Sequence, residues 1–167
     1  PNPMTPWSYV MPPSSLPAAA PAAACMLPLA GAFAKDEALS KAVSSSHRSP
    51  NFVGRDQFRK PQEVVEFIGV EPTSTVVEIA PGGGYWTEIL APYLHDKGTY
   101  YTAITPRTAS ERAAASADTW QKKLDSDKAR YGKVKIGEFG GGKYEPAPAG
   151  SADVVVTFRN VHNWMGQ

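Results

Sequence analysis

The residues of this chain best suited to hold a small ligand are Glu78 and the run Ala80-Pro81-Gly82-Gly83-Gly84. Glycine lets a backbone turn through positive φ and come close to a ligand. A glycine turn that joins the carboxyl end of a parallel strand to a helix also offers unpaired backbone N–H groups at the helix start. Spacing narrows the ligand. A dinucleotide fingerprint built on Gly82 and Gly84 would want Gly or Ala at position 87, where the chain has Thr87 behind bulky Tyr85 and Trp86. A phosphate-binding loop would want a Gly-Lys-Ser/Thr ending, which is absent here. What remains is an acidic residue inside a strand, followed by small residues at alternate positions. An NAD(P)-dependent oxidoreductase, with Arg107 near a ribose phosphate, stays as an alternative.

A second group of candidates, Arg159-Asn160-Val161-His162-Asn163-Trp164, follows the last expected strand. Ligands of open α/β sheets sit outside the carboxyl ends of the strands, so this segment faces the same region as the glycine turn. Histidine exchanges protons near neutrality, which makes His162 a candidate base, with a capping or loop-packing role as the alternative. Asn160 or Asn163 would orient an acceptor and Trp164 would cover it. Arg55, Asp56 and Arg59 either cross the mouth of the site or form an ordinary surface ion pair. Glu78, a carboxylate in an apolar strand, needs polar partners, and the turn amides are the expected ones. Tyr100, Tyr101 and Trp86 read as core.

The elements that must position these residues follow from periodicity and punctuation. Residues 36–46 suit a short helix with Ala38, Leu39, Ala42 and Val43 on one face, followed by a polar connector. Pro61 suits the first turn of a helix carrying Val64, Val65, Phe67 and Ile68, and Gly69 suits its end. Residues 75–80 form a buried parallel strand, 85–94 a helix with Ile89, Leu90 and Leu94 inward, and 99–105 a second strand after the Lys97-Gly98 turn. Residues 110–131 are helix-prone, with Trp120 and Leu124 as an inward pair. A third strand at 134–139, a Gly/Pro-rich loop at 140–150 and a fourth strand at 152–158 complete an α/β pattern with a mainly parallel sheet.

From about His47 onward the chain resembles class I S-adenosylmethionine-dependent methyltransferases, in particular a family of predicted bacterial methyltransferases often made with an export signal. The resemblance is carried by Val76-Val77-Glu78-Ile79-Ala80-Pro81-Gly82-Gly83-Gly84-Tyr85-Trp86-Thr87-Glu88-Ile89-Leu90-Ala91-Pro92-Tyr93-Leu94. Arg55-Asp56, Arg59 and Pro61, and the stretch Thr157-Phe158-Arg159-Asn160-Val161-His162-Asn163-Trp164-Met165, support it. It implies a Rossmann-like, doubly wound fold of which this chain supplies the first strands in the order 3-2-1-4, and S-adenosylmethionine as cofactor. It further implies that the turn from Glu78 through Ala80, Pro81, Gly82, Gly83 and Gly84 packs on the methionine part, and that Glu138 and Phe139 lie near the adenine. Ala80 stands where the pattern has its first glycine. The pattern's carboxylate for the ribose hydroxyls is missing at Ile104-Thr105, which leaves Thr105 and backbone groups for that role.

The first third of the chain is of another kind. Residues 16–34 carry no charge, are rich in alanine and are interrupted by Pro17, Pro21 and Pro28. Ala32-Phe33-Ala34 before Lys35-Asp36-Glu37 has the small-x-small pattern of a signal-peptidase site, so 1–34 reads as an export leader and the protein as periplasmic, or cytoplasmic if the leader is only a low-complexity linker. Residues 35–69 then form a helical segment and 70–167 a partial methyltransferase domain that ends before the sheet is complete, a fragment expected to be inactive on its own. Cys25, the single cysteine, lies in the leader and can form no internal disulfide. A formal charge of +1, from 17 basic and 16 acidic residues, supplies no pull toward nucleic acid. The apolar run is too short and too proline-broken to anchor the chain in a membrane. The expected substrate is a small molecule or an envelope component, and the competing class is an exported binding module that keeps the fold without catalysis.

Overall fold

The computed structural model describes residues 36–165, which belong to a compact unit spanning Lys35–Gln167. The leader, with Cys25 and its cleavage pattern, lies outside the described residues. Along the chain come α1 (Glu37–Val43), α2 (Pro50–Val53), α3 (Asp56–Arg59), α4 (Pro61–Phe67), β1 (Thr75–Ile79), α5 (Thr87–Leu94) and β2 (Thr99–Ile104). After a 3-10 turn at Arg107–Ala109 follow α6 (Glu111–Asp125), α7 (Lys128–Tyr131), β3 (Lys135–Gly140), β4 (Lys143–Glu145), β5 (Val154–Val156) and α8 (Val161–Trp164). No helix among the described residues is long and apolar enough to cross a membrane.

The fold is α/β, with one mixed and mostly parallel sheet of five strands in the order β4-β3-β2-β1-β5. β1 pairs in parallel with β2 and with β5, placing Glu78 beside Thr102 on one side and Val156 on the other. β2 pairs in parallel with β3. The expected four-stranded order 3-2-1-4 is corrected here: the stretch 140–150, read as a loop, contains β4, which folds back antiparallel on β3 and adds an outer strand. Its turn uses Gly140, Gly141 and Gly142, all at positive φ. A glycine-rich stretch reads as a loop in sequence, but three glycines in succession also satisfy the left-handed dihedrals of a tight hairpin.

Two other element boundaries differ. The polar connector after α1 holds the short helices α2 and α3, each started without a side-chain cap. The long helix expected at 110–131 is broken at Ser126-Asp127, where the Asp127 side chain accepts from the Arg130 N–H and restarts the chain as α7. Asp36 and Ser110 cap α1 and α6 in the same way, through the N–H groups of Leu39 and Ala113.

The core lies on the α5 side of β1. Ile89, Leu90 and Leu94 are fully buried, as their spacing predicts, and the expected inward pair Trp120 and Leu124 is buried as well. Burying each such side chain contributes about 2 kcal/mol. Phe67, by contrast, is 90% exposed. One irregularity inside α5 is resolved from outside. Pro92 has no N–H for the carbonyl of Glu88 four residues earlier, and the His47 ring Nε2 donates to that carbonyl instead, at 2.9 Å. The Ser45 hydroxyl sits 2.6 Å from Nδ1 and fixes the ring orientation.

Candidate functional site

The glycine turn leaves β1 through Ala80, which holds φ +55, and passes Gly82 at φ +59 and Gly84 at φ +87. Two of these positions need glycine for different reasons. At Gly84 a Cβ would come within 2.5 Å of the Lys123 side chain and 3.2 Å of Trp120, so the absence of a side chain lets α6 close over the turn. At Gly82 no atom of the described residues lies within 4 Å of where a Cβ would stand. Its glycine serves the dihedral, and the space beside it is open. Ala80 takes the left-handed conformation without being glycine, at a cost of about 1 kcal/mol.

Glu78 does not reach the turn amides. Its carboxylate Oε2 accepts from the Tyr100 hydroxyl, in a short hydrogen bond, and from Thr87 Oγ1 at 3.2 Å. All three side chains are buried. Burial pushes the Glu78 carboxyl up to about 7, against the two hydroxyl donors. Burial and the adjoining Glu78 charge hold the Tyr100 phenol protonated. Tyr100, read as core, is therefore also a partner of the acidic residue.

Two cavities flank the turn and share Ala80, Pro81, Gly82 and Gly83. The first, of about 700 Å³, is closed by Ile104 and Thr105 at the end of β2 and by Ala113, Trp120 and Lys123 of α6. Trp120 is fixed by its ring N–H, which donates to Thr102 Oγ1 at 3.1 Å. The second cavity, of about 850 Å³, reaches from the turn to Phe52, Arg55 and Arg59 on one side and to Phe158, Arg159 and Asn160 on the other. Trp86 stacks on Phe158 with ring centroids 4.1 Å apart and forms an apolar wall.

The segment carrying Arg55 and Arg59 is held by a buried ion pair that the sequence did not disclose. Arg48 is 3% exposed and grips Asp56 with both guanidinium arms, at 2.6 and 2.9 Å. Asp56 also accepts from the Tyr85 hydroxyl at 2.6 Å. Burial opposes the Asp56 charge, but the Arg48 and Tyr85 hydrogen bonds outweigh it and hold the carboxyl below its usual range. The surface ion pair envisaged among Arg55, Asp56 and Arg59 is thus replaced: Asp56 turns inward to Arg48, and Arg55 and Arg59 line the cavity. A second bridge joins Glu88 to the N–H and hydroxyl of Ser49, each at 2.8 Å, and to Lys123 at 2.8 Å. Burial again works against the charge, and these donors keep Glu88 ionised below its ordinary value.

The candidates behind β5 separate. Asn160 lies on the second cavity, and its amide donates to the Ala80 carbonyl at 3.1 Å and to Thr157 Oγ1 at 2.9 Å. It ties the end of β5 to the glycine turn. His162 is exposed on α8 and lines neither cavity. Glu138 is bound to Lys143 at 2.8 Å, and Phe139 packs against Tyr144 and Trp164. Both lie outside the two cavities, whereas Thr105 lines the first. Arg107 pairs with Asp118 at 2.5 Å. Among the described residues no cluster of His, Cys, Asp or Glu is gathered as for a metal ion. Glu88 and Lys123 were invisible as site residues because their partners lie far along the chain, and Arg48 because no periodicity marks its pairing with Asp56 eight residues on; the one local signal was a carboxylate in the apolar stretch Thr87–Leu94. No family model, curated protein or solved structure matches this chain.

Proposed function

We propose that this chain is an S-adenosylmethionine-dependent methyltransferase of Rossmann-like, doubly wound architecture, exported by its leader and acting on a small molecule or an envelope component. The observation that carries the reading is the glycine turn at the carboxyl end of β1, with open space beside Gly82 and a ligand-sized cavity on each side. A nucleoside-bearing cofactor fits these residues. Gly82 and Gly83 would carry its amino-acid part, and Thr105 would stand in for the ribose carboxylate that the family pattern has.

When bound, the cofactor supplies a methyl group already activated on sulfur, so the protein's task is to position an acceptor. The Trp86–Phe158 stack gives the second cavity one apolar wall. Asn160 holds the two strand ends at a fixed separation through the Ala80 carbonyl. The dinucleotide alternative is weakened by the engagement of Arg107 with Asp118. The competing reading, a binding module without catalysis, is favoured by the uncharged end of β2 and by the position of His162 outside both cavities.

Titration calorimetry with S-adenosylmethionine and S-adenosylhomocysteine tests the proposal. Saturable binding of both in the micromolar range is expected. Absence of heat with either compound overturns it, and binding of NAD(P) instead revives the oxidoreductase.

A further inference from the structure

The second cavity carries a charge arrangement that cofactor binding does not use up. Three arginines, Arg55 and Arg59 from the α2–α3 region and Arg159 after β5, converge on it. Among the described residues none of the three guanidiniums makes an ion pair or a hydrogen bond. The single carboxylate within reach on their own segment, Asp56, is consumed by Arg48 and Tyr85. Burial and the like charges of Arg55 and Arg159 lower the Arg59 guanidinium, which lies over the Tyr85 ring at 4.2 Å. Glu78, at the cavity floor, is bound to Tyr100 and Thr87.

Arg159 also sits at φ +61, a left-handed conformation that a long side chain adopts only when its surroundings impose it. Asn160 imposes it here by fastening the next residue to Ala80 and Thr157. Like charges are thus gathered and one is held in a strained backbone position, an arrangement whose natural complement is an anion. The walls say what kind. Phe52, Trp86 and Phe158 present flat apolar surface beside the guanidiniums.

We infer that the second cavity binds a small organic acid, an aromatic or otherwise planar carboxylate, with the carboxylate on Arg55, Arg59 and Arg159 and the ring against Trp86 and Phe158. As an anion site the inference stands alone; as the site of the methyl acceptor it rests on the methyltransferase reading. A carboxylate oxygen would then take the methyl group of S-adenosylmethionine. The O–C bond forms as the S–C bond breaks, the electron pair of that bond returns to sulfur, and the products are a neutral ester and a neutral thioether. No proton is released, so the reaction needs no base, consistent with a cavity lined by no histidine.

The test is calorimetric titration of the chain with benzoate, with its neutral isostere benzamide and with phenyl phosphate. Benzoate is expected to bind at least about tenfold more tightly than benzamide and to weaken with added salt. Arg55→Gln and Arg159→Asn, both at exposed positions, should each cost about tenfold for benzoate, while Arg107→Gln, paired elsewhere, should cost nothing. Equal affinity for benzoate and benzamide, or unchanged affinity in both cavity variants, overturns the inference. A clear preference for phenyl phosphate overturns its carboxylate assignment. Benzoate binding retained in a chain that binds no S-adenosylmethionine upholds the anion site and removes the methyltransferase reading alone.

Discussion

Glu78 is the group whose chemistry departs furthest from its residue type. Its folded carboxyl holds a proton up to about pH 7, whereas the ordinary value is 4.5. Between those values the folded chain binds more protons than the unfolded one, so stability falls as pH rises through this window. The protonated acid's contribution is complete below 4.5 and lost by about 7, a change on the order of 3 kcal/mol. Glu78→Gln removes this titration. Measured by denaturant midpoints, the variant should gain on the parent chain by about that amount between pH 4 and pH 8; a difference flat across pH would mean that the carboxyl ionises normally. The sequence disclosed that this carboxylate needs partners but not which ones. Tyr100 lies on a neighbouring strand and Thr87 a helical turn beyond the glycines, and sheet register decides what stands beside Glu78. The same limit hid Asn160's role, because the bond that ties it to the glycine turn runs to a carbonyl eighty residues earlier.

Elements with strong periodicity were legible, and those made by tertiary contact were not. The Val76-Val77 strand, the Ile89-Leu90-Leu94 face and the Trp120-Leu124 pair all sit as their spacing requires. The hairpin strand β4 is exposed throughout, with no apolar alternation to reveal it. Helices α2 and α3 are a single turn each, and α3 is held at its first residue, Asp56, by Arg48 and Tyr85. Helix α5 shows the reverse dependence, a well-patterned helix with Pro92 in its interior. His47 donates to the carbonyl that Pro92 leaves free, so His47→Ala should orphan an acceptor at the packed face of α5. The expected cost is about 1 kcal/mol. Pro92→Ala in the same background restores a helical donor for Glu88 and should recover much of the loss. A His47→Ala chain with unchanged denaturant midpoint would refute the role assigned to the ring.

At the scale of the whole described unit, the segment before β1 matters because it brings Arg55, Arg59 and Phe52 to the glycine turn. Short helices of four residues hold little by themselves, so the placement depends on polar bridges to α5 and to the turn that precedes it. Arg48 braces them from within the segment, bonding Asp56, which the Tyr85 hydroxyl also holds, twice and the Val43 carbonyl at 2.7 Å. Its Nε hydrogen finds no partner among the described residues, which offsets part of the gain. Arg48→Met keeps the length of the side chain and removes the orphan donor together with the ion pair, so the net loss should be near 2 kcal/mol, below that of a fully buried pair because Asp56 stays partly exposed. The loss should also be local before it is global. Amide exchange across residues 50–59 is expected to accelerate under conditions where β1 and β2 remain protected. Benzoate affinity should fall although Arg48 does not line the cavity, since Arg55 and Arg59 lose their fixed approach to it. Exchange that accelerates equally in the strands would place Arg48 in the global core, and unchanged benzoate affinity would show that the cavity is shaped without this segment.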